Sequence, residues 1–466
     1  MREKKDIIIK DLLVESVAAE GKCVARRDGQ VIFITDTAPG DIVDVRITRK
    51  KKNFLESIPI HYHTKSDQRV EPFCAHFDMC GGCKWQHLNY TAQINYKWQQ
   101  VQDQLERIGK LDLPKILPII PSKKTTHYRN KLEYTFTPKR WLTKEEISSG
   151  EELDRRGVGF HAPGRFDKVI DIENCHLQPE PTNELRLFVK FFTINNGFSF
   201  YNVAKFEGLM RNLIVRTAST GEIMTTIQFA ENDPERIELL CAETAKMFPE
   251  ITSLNYVINT KKNDKFHDLD VINYSGIPYI TEEMENVKFR IGPKSFFQTN
   301  TDQALGLYQE ARKLAALTGN EIVYDLYTGT GSIANFIAGS AKKVIGIESI
   351  PEAIEDAKVN SEINSISNTE FFAGDTRELL NQEFFETHGS PEVIITDPPR
   401  AGMHEDVVRA IVAASPKRIV YISCNPATQA RDLEWMADNY IVEAVQPIDM
   451  FPHTHHVENI VLMVKK

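Results

Sequence analysis

The sequence predicts a multi-domain α/β protein: an N-terminal OB-like β-barrel, a central α+β block, and a C-terminal Rossmann-like sheet wound on both faces. Three observations carry this expectation. The 466 residues exceed what one hydrophobic core normally holds. Short apolar runs parted by Asp28-Gly29 and Pro39-Gly40-Asp41 fill the first sixty positions. From about residue 295, strand-like and helix-like segments alternate, the grammar of a parallel sheet.

The barrel, taken as 1–62, rests on strand patterns at Ile7–Ile9, Gly21–Arg26, Val31–Thr35 and Asp41–Thr48. The central block, 63–290, opens with a cysteine cluster and a polar helix over Tyr90–Ile108. It continues with strands at Lys131–Thr137, Leu213–Thr217 and Glu222–Phe229, and a helix over Pro234–Met247. Residues 140–157 read as a charged loop without an assignable role. In the C-terminal block, 291–466, strands are expected at Glu321–Leu326, Lys343–Ile347, Thr369–Phe372, Val393–Thr396 and Arg418–Ile422. Helices follow Gly331 and cover Pro351–Asn364 and His404–Ala414. Ile441–Gln446 and Asn459–Val464 close the sheet as a hairpin-like pair.

The net charge of −9 argues against a protein that coats nucleic acid non-specifically. A local basic surface stays possible: residues 1–60 hold 12 Lys/Arg against 10 Asp/Glu, with Arg49–Lys52 consecutive. The charged opening Met1–Asp6 does not resemble a signal peptide, and no apolar stretch reaches spanning length. A cytoplasmic protein without a membrane partner is therefore expected, and no obligate protein partner is evident.

Seven cysteines, unevenly spaced, do not form a disulfide framework. Cys74, Cys80 and Cys83 crowd into ten residues, and with Cys175 could hold zinc or a [4Fe–4S] cluster. Cys23 and Cys241 read as packing residues.

Asp325–Gly331 ends one strand and opens a helix, where Gly329 and Gly331 let the backbone approach a ligand. Acidic residues close three successive strands: Asp325, Glu348 and Asp375. Such a set suits a nucleoside without phosphates, as in S-adenosylmethionine; a phosphate site would want Lys or Arg. Each taken singly could be a helix cap. Asp397-Pro398-Pro399-Arg400 follows the fourth strand; Arg400 stands where amine methyltransferases carry an aromatic. Cys424, at the tip of the fifth strand and before Asn425-Pro426, has the position of a nucleophile rather than of a buried hydrophobe. Glu458, in the loop between the last two strands, reaches the same edge if the final strand runs antiparallel. His453, His455 and His456 are rivals for proton transfer.

With these residues, and with Ser295–Asn300, the chain resembles the RNA uracil-C5-methyltransferase family, in its iron–sulfur-containing 23S rRNA branch. The resemblance covers almost the whole chain. It implies a SAM-dependent methyltransferase fold, with Cys424 as nucleophile on uracil C6 and Glu458 as the base that removes the C5 proton. It implies a cofactor site of Gln298, Tyr327, Gly329, Gly331, Glu348, Asp375 and Asp397, with S-adenosyl-L-methionine as methyl donor. Phe296, Arg129 and Lys131 would meet RNA, the barrel would be a TRAM domain, and the four cysteines would hold [4Fe–4S]. Chemically, C5 of uracil is too weak a nucleophile to take a sulfonium methyl until a thiolate at C6 makes the ring an enolate. Members specific for tRNA usually lack barrel and cluster, so their presence points to 23S rRNA. A tRNA enzyme, or a non-catalytic ribosome assembly factor, are the alternatives.

Overall fold

The computed structural model describes residues 7–466; Met1–Asp6, and the signal-peptide reading made on them, lie outside the described residues. Strands Ile8–Leu13, Ser16–Val17, Cys23–Arg27, Gln30–Ile34, Ile42–Lys50 and Phe54–Thr64 form one sheet. It curls until the Glu15 N–H donates to Val24 O at 2.8 Å, next to the short second strand. Asp28-Gly29 makes a two-residue hairpin, both residues at positive φ (51° and 76°), as Asp-Gly favours. Leu12, Val14, Ala25, Ile32, Val43 and Val45 fill the interior. The strand Phe54–Thr64 escaped the sequence reading because Pro59 and two histidines break its alternation; the ladder shifts register beside Pro59. Its end carries the barrel to residue 64.

A second sheet has the order Val271–Gly276, Ile251–Ile258, Ile223–Phe229, Met210–Thr217, Lys131–Thr137, Gly157–His161, Val169–Asp171. Its one parallel pair, Ile223–Phe229 with Ile251–Ile258, is joined by the helix Pro234–Met247. The helix Thr182–Asn195 packs beside that helix. Within 140–157, Lys144–Ser149 is a short helix closed by a Thr143/Glu146 capping box rather than a loop.

The third sheet runs Thr369–Ala373, Lys343–Glu348, Ile322–Leu326, Val393–Thr396, Arg418–Ser423, Glu458–Lys465, Tyr440–Ile448. The first five are parallel, and Glu458–Lys465 inserts antiparallel between Arg418–Ser423 and Tyr440–Ile448. Strand order reverses between Ile322–Leu326 and Val393–Thr396, where a doubly wound sheet opens a crevice. One part of the 63–290 block packs here: Val101 and Leu105, from the helix Tyr90–Arg107, and Ile116 share a core with Tyr421 and Leu433. Leu117 and Ile120 then donate to Val445 O and Pro447 O, covering the sheet edge. Among the described residues no helix is long and apolar enough to cross a membrane.

Candidate functional site

At the crevice, Asp325 organises the glycine loop. Its Oδ2 accepts from Thr328 Oγ1 (2.5 Å) and from the Ala334 N–H (3.1 Å), joining loop to helix. Burial pushes this carboxyl up to about 7. The two glycines differ. A Cβ on Gly329 would meet nothing within 4 Å, leaving room for a ligand, and the Gly329 N–H donates to Glu348 Oε2 at 3.2 Å. A Cβ on Gly331 would lie 2.8 Å from Ala357 Cβ, so close packing requires glycine there.

Glu348 Oε1 also takes the Ser349 and Ile350 N–H groups, at 2.7 and 3.1 Å, which ties its strand end to the next helix. Asp375 caps the helix Thr376–Leu379 and is half-buried. The Arg377 guanidinium holds its carboxyl down to about 2. Of the three acidic strand ends, this one has the simple helix-cap geometry. Tyr327 sits at φ 61°; burial raises its phenol to about 12, helped by the nearby charges of Asp432 and Asp375. Gln298 Nε2 reaches Asp397 Oδ2 at 3.5 Å, linking the Ser295–Asn300 segment to the fourth strand end.

Cys424 and Glu458 meet through sheet register. Ser423 pairs with Asn459 in the antiparallel ladder, which sets Cys424 level with Glu458 on neighbouring strands. Glu458 is buried, and its carboxyl is raised well above the usual range by burial and by the charge of Asp397, with Arg400 acting the other way. Asp397 is raised too, by burial and by Asp325. Burial, with Glu458 and Asp397 adding repulsion, lifts the half-buried Cys424 thiol to about 11; Arg400 opposes this by charge and by a hydrogen bond. A thiol, a carboxyl of raised pKa and the arginine that acts on both thus share the edge of the crevice.

The rival histidines behave otherwise. Burial first, then nearby Lys97 among other cations, holds His453 and His455 at about 4; burial and His455 hold His456 at about 3. They are neutral near pH 7. The His453 N–H donates to Gln93 Oε1 at 2.8 Å, and its carbonyl accepts from Lys84 and Trp85 at 2.8 and 2.9 Å. The loop is pinned further by the buried ion pair Lys97–Asp449 (2.6 Å), by Lys97 Nζ on Phe451 O (2.9 Å) and by Tyr128 on Pro452 O (3.0 Å). These clamps were invisible in sequence because about 350 residues part the partners.

Phe296 is 69% exposed while its neighbour Phe297 is core, so Phe296 is free to face a planar ligand. Its carbonyl accepts from Thr330 Oγ1 (3.3 Å), and Ser295 O accepts from buried Arg216 (2.6 Å). Asn130, which the family resemblance places with Arg129 and Lys131 in a segment expected to touch RNA, docks the central sheet here: its Nδ2 donates to Gln298 O and Thr301 Oγ1, both at 2.9 Å. Arg129 lies over the Phe451 ring at 5.9 Å, and with Lys131 it lines the cavity that holds the cysteines.

Cys74, Cys80, Cys83 and Cys175, all unpaired, line that cavity of about 390 Å³ with Phe77 and Gln86. The Gly82 N–H donates to Cys80 Sγ at 3.4 Å. Burial raises the Cys83 and Cys175 thiols to about 12 and 11, and the remaining thiols add repulsion. As thiolates they need positive charge among them. A single tetrahedral zinc ion would set sulfurs about 3.8 Å apart, given Zn–S near 2.3 Å. Among the described residues, the one group of three or more ligand atoms within 4.8 Å is Asp11, Asp44 and His63 in the barrel, so the cysteines stand wider than that. Four thiols around one cavity are a donor set that fits a [4Fe–4S] cluster. Cys23 and Cys241 are buried packing residues in the barrel and in Pro234–Met247, as expected.

Residues 276–466 match the tRNA (Uracil-5-)-methyltransferase family and residues 9–60 the TRAM domain. A protein of Bacteroides thetaiotaomicron named "uncharacterized RNA methyltransferase" is 55% identical over 96% of this chain and 99% of its own length. One of the same name from Porphyromonas gingivalis is 52% identical over 97% and 99%. Among solved structures, the Pyrococcus abyssi tRNA (uracil-54, C5)-methyltransferase, in complex with S-adenosyl-L-homocysteine, is 29% identical. It superposes with a TM-score of 0.75 over 97% of this chain and 98% of that one.

Proposed function

Since the chain belongs to the RNA uracil-5-methyltransferase family and is an RNA methyltransferase with a TRAM domain, we propose that it forms 5-methyluridine in 23S rRNA through Cys424 and Glu458. The observation that carries this is the register that sets the thiol of Cys424 beside the buried carboxyl of Glu458. The Cys424 sulfur adds to C6 and the ring electrons pass to the C4 oxygen as an enolate. S-adenosyl-L-methionine, when bound, supplies the electrophilic methyl that C5 takes. Glu458 then removes the C5 proton, the C5–C6 double bond reforms, and sulfur leaves. Once ionised, Glu458 is a stronger base than an exposed carboxylate, because burial raises its pKa.

Gln298, Tyr327, Gly329, Glu348 and Asp397 line the donor site in this reading, and Phe296 stacks on the target base. Asp375 reaches the donor only if Arg377 gives way. Arg129 and Lys131 meet RNA close to the cysteine cavity. The [4Fe–4S] cluster there is structural: Lys84 and Trp85, directly after Cys83, hold the carbonyl of His453 in the base loop.

The 23S target rests on barrel and cluster occurring together. The full-length likeness to a solved tRNA enzyme favours a second reading, in which a tRNA uridine is the acceptor. Mass spectrometry of RNA fragments from cells with and without the gene separates the two. Loss of a 5-methyluridine from 23S rRNA alone supports the first; loss from tRNA alone replaces it with the second.

A further inference from the structure

The loop Asp397–Met403 and the helix Pro426–Met436 form one hydrogen-bonded unit around Cys424. Asn425 Nδ2 and Thr428 Oγ1 both donate to Arg400 O, at 3.0 and 3.2 Å. Arg431 Nη2 donates to Ala401 O and Met403 O at 3.0 and 3.1 Å, and the Met403 N–H donates to Asp432 Oδ2 at 2.7 Å. Pro398 and Pro399 stiffen the approach. Gly402, at φ 76°, completes the turn where a Cβ would strike Arg431 and Asp432. The backbone of Arg400 is thereby fixed to the residues that follow Cys424, before any RNA binds.

The Arg400 side chain is exposed, and among the described residues no carboxylate forms an ion pair with it. The bonds from Asn425 and Thr428 to its carbonyl place Arg400 beside Cys424, where its positive charge and donors favour the thiolate. Of the groups that act most on that sulfur, Glu458 and Asp397 repel a thiolate and Arg400 favours it. Arg400 also acts on Glu458, His455 and His456, so its charge reaches both the thiol and the carboxyl.

We propose that Arg400 is a catalytic residue that stabilises the Cys424 thiolate for attack on C6 and again when that sulfur leaves. This rests on Cys424 being the nucleophile. In the first step the thiol proton passes to solvent, the S–C6 bond forms with the sulfur's electron pair, and the C5–C6 π pair moves into the ring. In the last, removal of the C5 proton rebuilds the C5–C6 double bond and the C6–S pair returns to sulfur. Negative charge is on sulfur at both ends of the cycle and is spread into the ring between them, so a fixed cation lowers both barriers. Arginine suits the task because it stays charged at every working pH.

The test is the pH dependence of Cys424 alkylation by iodoacetamide in the full-length protein without RNA, with the modified residue located by peptide mass spectrometry. Arg400→Gln should move the midpoint up by about one unit. Below the midpoint the thiolate fraction then falls tenfold while intrinsic nucleophilicity rises, leaving alkylation about threefold slower. Arg400→Lys, which keeps a charge, should lie between. Methyl transfer by Arg400→Gln should lose kcat with RNA and donor affinities kept. An unshifted alkylation midpoint in both variants overturns the proposal. Weaker RNA binding in Arg400→Gln without a midpoint shift also overturns it and makes Arg400 a phosphate contact. Cys424→Ala is the separate control: if it still transfers methyl, the nucleophile reading itself has failed.

Discussion

Replacing Lys97 by Met tests how the base loop is held. Lys97 Nζ sits 2.6 Å from Asp449 Oδ1, both side chains fully buried, and 2.9 Å from Phe451 O. The Tyr90 hydroxyl donates to Asp449 Oδ2 at 2.7 Å, and the Phe451 N–H to Asp449 Oδ1 at 3.1 Å. Methionine keeps the apolar stem but strands the carboxylate with two neutral donors. Removing one partner of a buried pair costs about 3–5 kcal/mol. In native-state hydrogen exchange this should speed the Phe451 and His453 amides by about 10²- to 10³-fold, since each 1.4 kcal/mol is tenfold. The methyl-transfer rate should fall with them as Glu458 loses its fixed place. Lys97→Met/Asp449→Asn, neutral on both sides, should recover most of the protection. Exchange in Lys97→Met within about threefold of the parent would refute the reasoning, because a pair worth so little could not be what fixes the loop.

Cys424→Ala should bind RNA and donor yet transfer no methyl, and Glu458→Gln should accumulate a covalent protein–RNA adduct, seen as a slower band on a denaturing gel. Appreciable turnover by the first, or no band from the second in a single turnover, contradicts the assigned roles. The loop histidines should make the protein acid-sensitive. Their folded-state values, about 4, 4 and 3, lie below the ordinary 6.5, so the unfolded chain binds more protons. The stability they confer is complete above pH 6.5 and is lost as pH falls toward 4. The thermal midpoint should drop across that window, less steeply in His453→Gln; equal slopes would count against it. Protein purified without oxygen should carry about four iron and four sulfide per chain, and Cys83→Ser should lose iron and expose the His453 loop to protease. One zinc per chain instead would replace the cluster.

The C-terminal sheet was legible because its strands are apolar runs buried on both faces, each ended by a polar turn. Val393–Thr396 agrees to the residue, and Arg418–Ser423 to within one. The place of Cys424 was legible for the same reason: it follows the strand Arg418–Ser423 directly, and a strand tip is a place that sequence can mark. Glu458 needed one further condition, an antiparallel final strand, and the ladder with Arg418–Ser423 meets it.

What stayed hidden depends on distance along the chain or on side-chain detail. The helix Thr182–Asn195 and the strands Ile251–Ile258 and Val271–Gly276 are interrupted by polar residues whose burial only the assembled sheet explains. Phe296 and Phe297 are identical in sequence, and only packing tells the exposed ring from the core one. The packing of Gly331 against Ala357 was not visible in the sequence, where it read as a ligand glycine. Arg400 was read for what it excludes, since nothing local signals that Asn425 and Thr428 fix it beside Cys424.

The central claim, attack at C5 of uracil through Cys424 with proton removal by Glu458, is tested most directly with RNA carrying 5-tritiated uridine, prepared from cells lacking this protein. Purified enzyme and S-adenosylmethionine are added, and tritium released to water is compared with methyl incorporated. Equal amounts are predicted, because each methyl at C5 displaces one hydrogen. Methyl incorporated without tritium release would place the acceptor on another atom, and the roles of Cys424 and Glu458 would fall together.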